Sequence, residues 1–312
     1  VFIEGDFTGP SYATINTLRL RHAYLQMDWG RHKVLAGQYW YPMVVPEIMP
    51  MTQPLNMGAP FHPYARYDQV RYTFKEGHFE AFAAALFQLD NKSQGPNGPS
   101  TSYQRSSMIP ETHLQLRYKG DRLFLGAAAN LLVIKPRMGC DNLYASPSFT
   151  LFGSYRMDGL TIKAQTLLND NLYEGCTMGG YVEHLVEGQY RYEPFSWTTA
   201  WVDLSRNKGS WRPAIFLGYG WNNDFGMELA EGDEAYGRGF DMQSLWRVQP
   251  RVSYLAGHGL SFMFDVECTH AQYGKKMVDH YEVDPDNAPT NIRLILGAQY
   301  DFGLAGQLPV PE

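Results

Sequence analysis

Long apolar runs are missing from this chain. No stretch approaches the roughly 20 residues that a membrane-spanning helix needs, so a helical membrane protein is excluded. Charge is sparse, at 19% of 312 residues, and the balance is mildly acidic, with a net charge of -6. No basic run or aromatic-rich binding motif appears, which argues against a nucleic-acid partner. Only three cysteines occur, Cys140, Cys176 and Cys268, and their spacing fits neither a zinc ligand set nor a redox pair. Catalytic signatures are lacking too: there is no HExxH, GxSxG or CxxC and no phosphate-cradling glycine loop, and the nine histidines are scattered. The acidic segments at 231–234 and 284–287 lack full EF-hand spacing and read as solvated loop charge. Neither a metal nor another cofactor follows from the sequence, and no enzymatic activity is expected.

Aromatics and turn formers are abundant instead. There are 21 Tyr, 17 Phe and 7 Trp beside 30 Gly, a mixture that favours β-strands joined by many turns. In Leu18-Arg-Leu-Arg-His-Ala-Tyr24 apolar residues alternate with guanidinium groups, so an extended chain presents leucines to one face and Arg19 and Arg21 to the other. The same two-sided pattern returns with Gln69 and Arg71 opposite Val70, Tyr72 and Phe74, and again in His113-Leu-Gln-Leu-Arg-Tyr118. Later it sets Gln243, Arg247, Gln249 and Arg251 against Met242, Trp246 and Val248, and Arg293 against Leu294 and Leu296. A soluble sheet also has a wet face, but it rarely lines that face with arginine in strand after strand.

The pattern predicts an all-β fold: a transmembrane antiparallel up-and-down β-barrel, with lipid outside and water inside. Alternating strands keep the mean hydropathy of such a barrel low. About fourteen strands are visible, in one uninterrupted domain spanning 1–312. Short connections such as Gly30-Arg-His, Lys75-Glu-Gly and Met157-Asp-Gly alternate with long ones, the asymmetry of outer-membrane barrels. The exception is 169–194, which reads as one elaborate external loop with some β character. Val1 already looks like mid-strand sequence, so either a signal was removed or the sequence begins inside the fold.

If the faces are so assigned, Arg19, Arg21, Arg71, Arg117, Lys163, Arg247, Arg251 and Arg293 point into one lumen. The acids facing them are few, chiefly Asp203, Asp265, Glu267 and Asp301. Clustered guanidinium groups need water, counter-carboxylates or passing anions. Rings of Arg and Lys are the usual way in which a pore favours anions, and low-dielectric walls focus that field. The alternative is that these cations merely stitch to the barrel's own acids and keep the wall rigid.

The segment 41–64 carries six prolines and the apolar residues Val44, Val45, Ile48, Met49, Met51, Leu55 and Met57. Prolines at that density forbid a strand or long helix, and a loop so apolar is seldom left in water. The expectation is that it folds inward as a constriction loop, with Glu47, Gln53, Asn56 and His62 at the opening; the alternative packs it on a neighbouring subunit. Cys140 and Cys176 both fall in expected loops, where an oxidising compartment permits a disulfide; two unpaired thiols are the alternative.

Three stretches, Leu18-Arg-Leu-Arg-His-Ala-Tyr24, Ala36-Gly-Gln-Tyr-Trp40 and Asp68-Gln-Val-Arg-Tyr-Thr73, resemble the opening run of the DcaP-like porins, which are distantly similar to the phosphate-selective porins. Met178-Gly-Gly-Tyr181 and the segment 198–204 resemble the later half of that family. The resemblance implies a homotrimer of 16-stranded barrels in a Gram-negative outer membrane, passing small anions including dicarboxylates and narrowed by the third external loop. With about fourteen strands visible, two are then expected upstream of Val1, and 41–64 becomes that third loop. Its wealth of Met and Pro departs from the family pattern and weakens any transfer of substrate preference.

The sequence thus leads to a passive channel for small anionic solutes, in contact with membrane lipid and lipopolysaccharide. An outer-membrane barrel enzyme, or a surface-binding barrel without conduction, is the rival from another class. A soluble β-sandwich or sugar-binding protein is a third.

Overall fold

The computed structural model describes residues 1–7, 17–53, 57–89, 92–171 and 175–302. Strands dominate. The first three are β1 (Phe2–Asp6), β2 (Arg19–Trp29) and β3 (His32–Trp40). After the 41–65 connection, in which a short 3-10 turn covers Pro46–Ile48, come β4 (Arg66–Glu76) and β5 (Phe79–Phe87). A one-turn helix, α1 (Ser102–Ser107), precedes β6 (Glu111–Lys119) and β7 (Leu123–Ile134). They are followed by β8 (Tyr144–Met157) and β9 (Leu160–Asn169), and then by the hairpin of β10 (Gly179–Val186) and β11 (Gln189–Phe195). Next are β12 (Trp197–Arg206), β13 (Trp211–Asn222) and the short β14 (Glu234–Arg238). The long β15 (Met242–Gly257) and β16 (Leu260–Lys276), the three-residue β17 (Tyr281–Val283) and β18 (Thr290–Tyr300) complete the series.

Each long strand pairs antiparallel with its neighbours in chain order, from β1 through β9 to β12, β13, β15, β16 and β18. That is the up-and-down barrel topology the alternation predicted. Among the barrel strands, short turns join β2 to β3, β4 to β5, β6 to β7, β8 to β9, β12 to β13 and β15 to β16, and long connections join the other consecutive pairs. The region read as a loop with some β character holds β10 and β11; β10 pairs with β11 on one side and β14 on the other, in a separate three-stranded sheet at the long-loop end.

Burial is inverted relative to a soluble protein. Leu18, Leu294 and Leu296 are 69%, 68% and 83% exposed, whereas Glu111, Ser148 and Gln249 are sealed from solvent. Alternation on a pleated strand places the two sets on opposite faces. Outward aromatics gather at the rims. Trp29, Phe79, Tyr155, Trp211, Tyr254 and Tyr300 lie beside the short turns, and Phe87, Phe149 and Trp221 lie near the long-loop end. Between them run Val70, Leu114, Leu116, Leu151, Leu217 and Leu294. An apolar band between two aromatic girdles is the surface that a bilayer requires of a barrel.

Register shifts interrupt the period at Glu4/Gly5, at Met242/Ser244 and, beside the β15–β16 turn, at Leu255/Gly257. The register between β1 and β2 shifts between Glu4 and Gly5, so both Arg21 and His22 leave the outer face before Ala23 resumes it. A second shift, between Met242 and Ser244, turns Met242 inward, where it is buried with Leu245 in an internal apolar cluster; the strict alternation read from the sequence had set it outward.

Candidate functional site

The inner face of β2 to β6 concentrates cations. Register does this: Lys75 stands opposite Glu80, and Glu80 opposite Arg117. Glu80 lies 3.3 Å from Lys75, 3.4 Å from Arg117 and 3.4 Å from Lys119. Lys33, opposite Thr73, extends the cluster onto β3. Above it Arg71 is held by Gln69, whose Oε1 accepts from Nε at 3.1 Å and from Nη2 at 2.7 Å, while Nη2 also donates to the Trp40 carbonyl.

The eight cations read from the sequence fall into two groups. Six are ion-paired: Arg19 with Asp6, Arg21 with Glu4, Arg117 with Glu47 and Glu80, Arg247 and Arg293 with Glu267, and Arg251 with Asp203. The other two have no carboxylate within ion-pair distance among the described residues. Lys163 donates to the Met49 carbonyl at 2.9 Å, and Arg71 is bonded as above. Sequence reasoning missed Lys33, Lys75, Lys119 and Arg66. For Lys75 and Lys119 the signal was present: each continues the two-residue step from Arg71 or Arg117 into the last two residues of its strand. Arg66 is buried, with its guanidinium 4.2 Å from the Trp40 ring centre.

The 41–65 connection lies against this inner face. Gln165 on β9 donates to the Met43 carbonyl, Arg117 and Lys119 on β6 meet Glu47, and the Gln53 amide donates to Asp265 on β16. Further on, Arg247 on β15 donates to the Ala59 carbonyl and Thr199 on β12 to that of Phe61. A chain this short touches the inner faces of β6 and β16 only if the sheet between them curls around it. Apolar packing holds it there: Val45, Ile48 and Phe61 are buried among Phe152, Trp201 and Phe216, all on the wall. Gly218 provides the room, since a Cβ there would press on the Phe61 ring. That the apolar side of the loop packs on the wall was expected; which wall residues receive it, Phe152, Trp201 and Phe216, was not.

Four residues were expected at an opening. Glu47 is partly exposed between Arg117 and Lys119, and Gln53 is braced on Asp265. His62 is not at an opening. It is fully buried beside Trp201, ring centres 5.6 Å apart, because the apolar side of the loop is drawn onto that wall; burial and nearby Lys163 hold its imidazole down at about 3. Asn56 lies outside the described residues. The disulfide expectation is also corrected: no bond joins Cys140 to Cys176. Cys140 closes a turn on Arg137 after β7, whereas the segment before Cys176 is tied elsewhere, the Gly175 carbonyl accepting from Tyr64.

No family model and no curated protein matches the sequence. Solved structures do match. The outer membrane channel DcaP of Acinetobacter baumannii is similar over 96% of this chain and 79% of its own, with a TM-score of 0.70 at 17% identity. The fold is that of the outer-membrane β-barrel channels. An anion-selective porin from Comamonas acidovorans matches over 92% of this chain and 79% of its own, with a TM-score of 0.57 at 8% identity. OmpT, an outer membrane protein of Vibrio cholerae solved in a trimer form, matches over 91% and 81%, with a TM-score of 0.54 at 13% identity. The DcaP-like architecture to which the opening motifs pointed is therefore present along nearly the whole chain.

Proposed function

We propose that this chain is a passive diffusion channel of a Gram-negative outer membrane, carrying small anionic solutes through a basic lumen without covalent chemistry. The observation that carries the reading is the inverted burial, polar within and apolar without, combined with inner-face cations that lack carboxylate partners. Arg71 and Lys163 of the eight expected cations, together with Lys33, are left without a carboxylate among the described residues and attract anions; the paired arginines brace the wall. Dicarboxylates, which the DcaP-like resemblance implies, fall within this solute range. The 41–64 loop acts as the constriction, with Glu47 tying it to Arg117 and Lys119 of the wall. The outer belt meets lipid and lipopolysaccharide, and three copies assemble as a homotrimer, as the OmpT trimer form makes natural for this fold.

Reversal potentials across a bilayer in a salt gradient test the reading. Preference for chloride over potassium is expected, falling as salt rises, because screening shortens the reach of the lumen charges. Preference for potassium overturns the anion claim, and insertion without conduction favours a barrel that only binds.

A further inference from the structure

One strip of the inner wall alternates rings with guanidinium groups. Phe2 and Tyr24 stack with ring centres 5.3 Å apart, and Tyr24 meets Tyr39 edge-on at 5.0 Å. The Arg71 guanidinium follows, 5.5 Å from the Tyr39 ring centre and 4.4 Å from that of Phe82, and Arg117 lies 5.0 Å from the same Phe82 ring. The loop packs on the walls from β6 to β16 and leaves Phe2, Tyr24, Tyr39 and Arg71 partly open to the lumen.

Pairing separates the two guanidinium groups. Arg117 is taken by Glu47 and Glu80. Arg71 spends Nε and Nη2 on the Gln69 and Trp40 oxygens, and its Nη1 makes no hydrogen bond among the described residues. The strip therefore offers one guanidinium edge for a carboxylate, flanked on the open side by aromatic faces. We propose that it is a binding site for a monocarboxylate bearing an aromatic ring, with the carboxylate on Arg71 and the ring against Tyr24 and Tyr39. An aliphatic dicarboxylate finds only one of its two partners free here. A neutral aromatic leaves Arg71 unanswered. Offset or edge-on ring contacts are favoured over a bare apolar contact of equal area, and the planar guanidinium suits a carboxylate better than a point charge does.

The inference rests on the anion-channel reading above, and its test is built to separate the two. Single channels in a bilayer are titrated with benzoate and with cyclohexanecarboxylate, which has the same charge and nearly the same size but no π face. Benzoate is expected to halve the chloride current at a concentration roughly two- to ten-fold lower, the worth of one offset or edge-on ring contact. Arg71→Gln is expected to abolish that difference, and Arg71→Lys, which keeps the charge but loses the planar fork, to shrink it. Equal block by the two acids in the unaltered protein overturns the inference. If reversal potentials on the same membranes still show anion preference, the channel reading survives that result; if they show cation preference, both fall.

Discussion

Arg117 and Glu47, 70 positions apart in the chain, meet at 3.3 Å between Nη1 and Oε1. The contact ties the loop to the β6 wall, and Lys119 closes it from the other side at 2.9 Å. Burial works against the Glu47 charge, but Arg117 and Lys119 outweigh it and hold the carboxyl below its usual range. A depressed carboxyl keeps its pairing at and above the ordinary glutamate value of about 4.3 and loses it only as pH falls through the lower folded value. Single-channel conductance should thus stay flat from neutral pH to about pH 5 and change only below about pH 4. Glu47→Gln should show the acid-side conductance already at neutral pH. A transition between pH 5 and 7 would assign the latch to another group.

Arg251 and Asp203 form a buried pair with two hydrogen bonds, of 2.7 and 3.0 Å. Removing one partner leaves the other charge without an answer in a desolvated place. Asp203→Asn or Arg251→Met should each lower the unfolding free energy by about 3–5 kcal/mol, while the joint change Asp203→Leu with Arg251→Met costs much less. Denaturant unfolding in micelles, run as a double-mutant cycle, checks this. Additive losses would mean that the pair is not coupled.

Phe61 and Gly218 fit one another, ring into gap. Phe61→Ala empties that contact at a cost of up to about 3–5 kcal/mol, and Gly218→Val fills the space that the ring occupies. Both should free the loop and raise single-channel conductance. Unchanged conductance in both would remove the loop from the conducting path.

Gly37 adopts φ of 127°, and a Cβ there would collide with the Ala23 carbonyl across the β2–β3 ladder. Gly37→Ala should cost about 1–3 kcal/mol. Gly30 also has positive φ, 67°, but lies in open space, so Gly30→Ala should cost less. Thermal unfolding of the two variants compares them directly; equal losses would make the cost one of φ alone.

Much of this was legible in the sequence because a pleated strand between lipid and water leaves a period of two, and Leu114, Gln115, Leu116 and Arg117 follow it without error. The bulges at Arg21–His22 and Met242–Ser244 were not legible, since one extra residue in a ladder carries no compositional mark. The wall residues that receive the loop escaped for another reason. Trp201 and Phe216 look inward because Ile48 and Phe61 arrive from more than a hundred positions away, and a local pattern cannot announce a distant partner. The pairing of Arg251 with Asp203 reaches across an intervening strand and is hidden in the same way. The small outer sheet was only half visible, because β14 supplies its third strand from a different loop.

Val70 and Arg71 are neighbours on β4 that face opposite ways, Val70 outward and 58% exposed. With Cys140, Cys176 and Cys268 replaced by Ser, a single cysteine is placed at either position and the channel is treated in a bilayer with a charged, water-soluble thiol reagent. The account predicts rapid modification and a step down in current for Arg71→Cys, and no reaction for Val70→Cys. Modification at position 70 with protection at position 71 would contradict it.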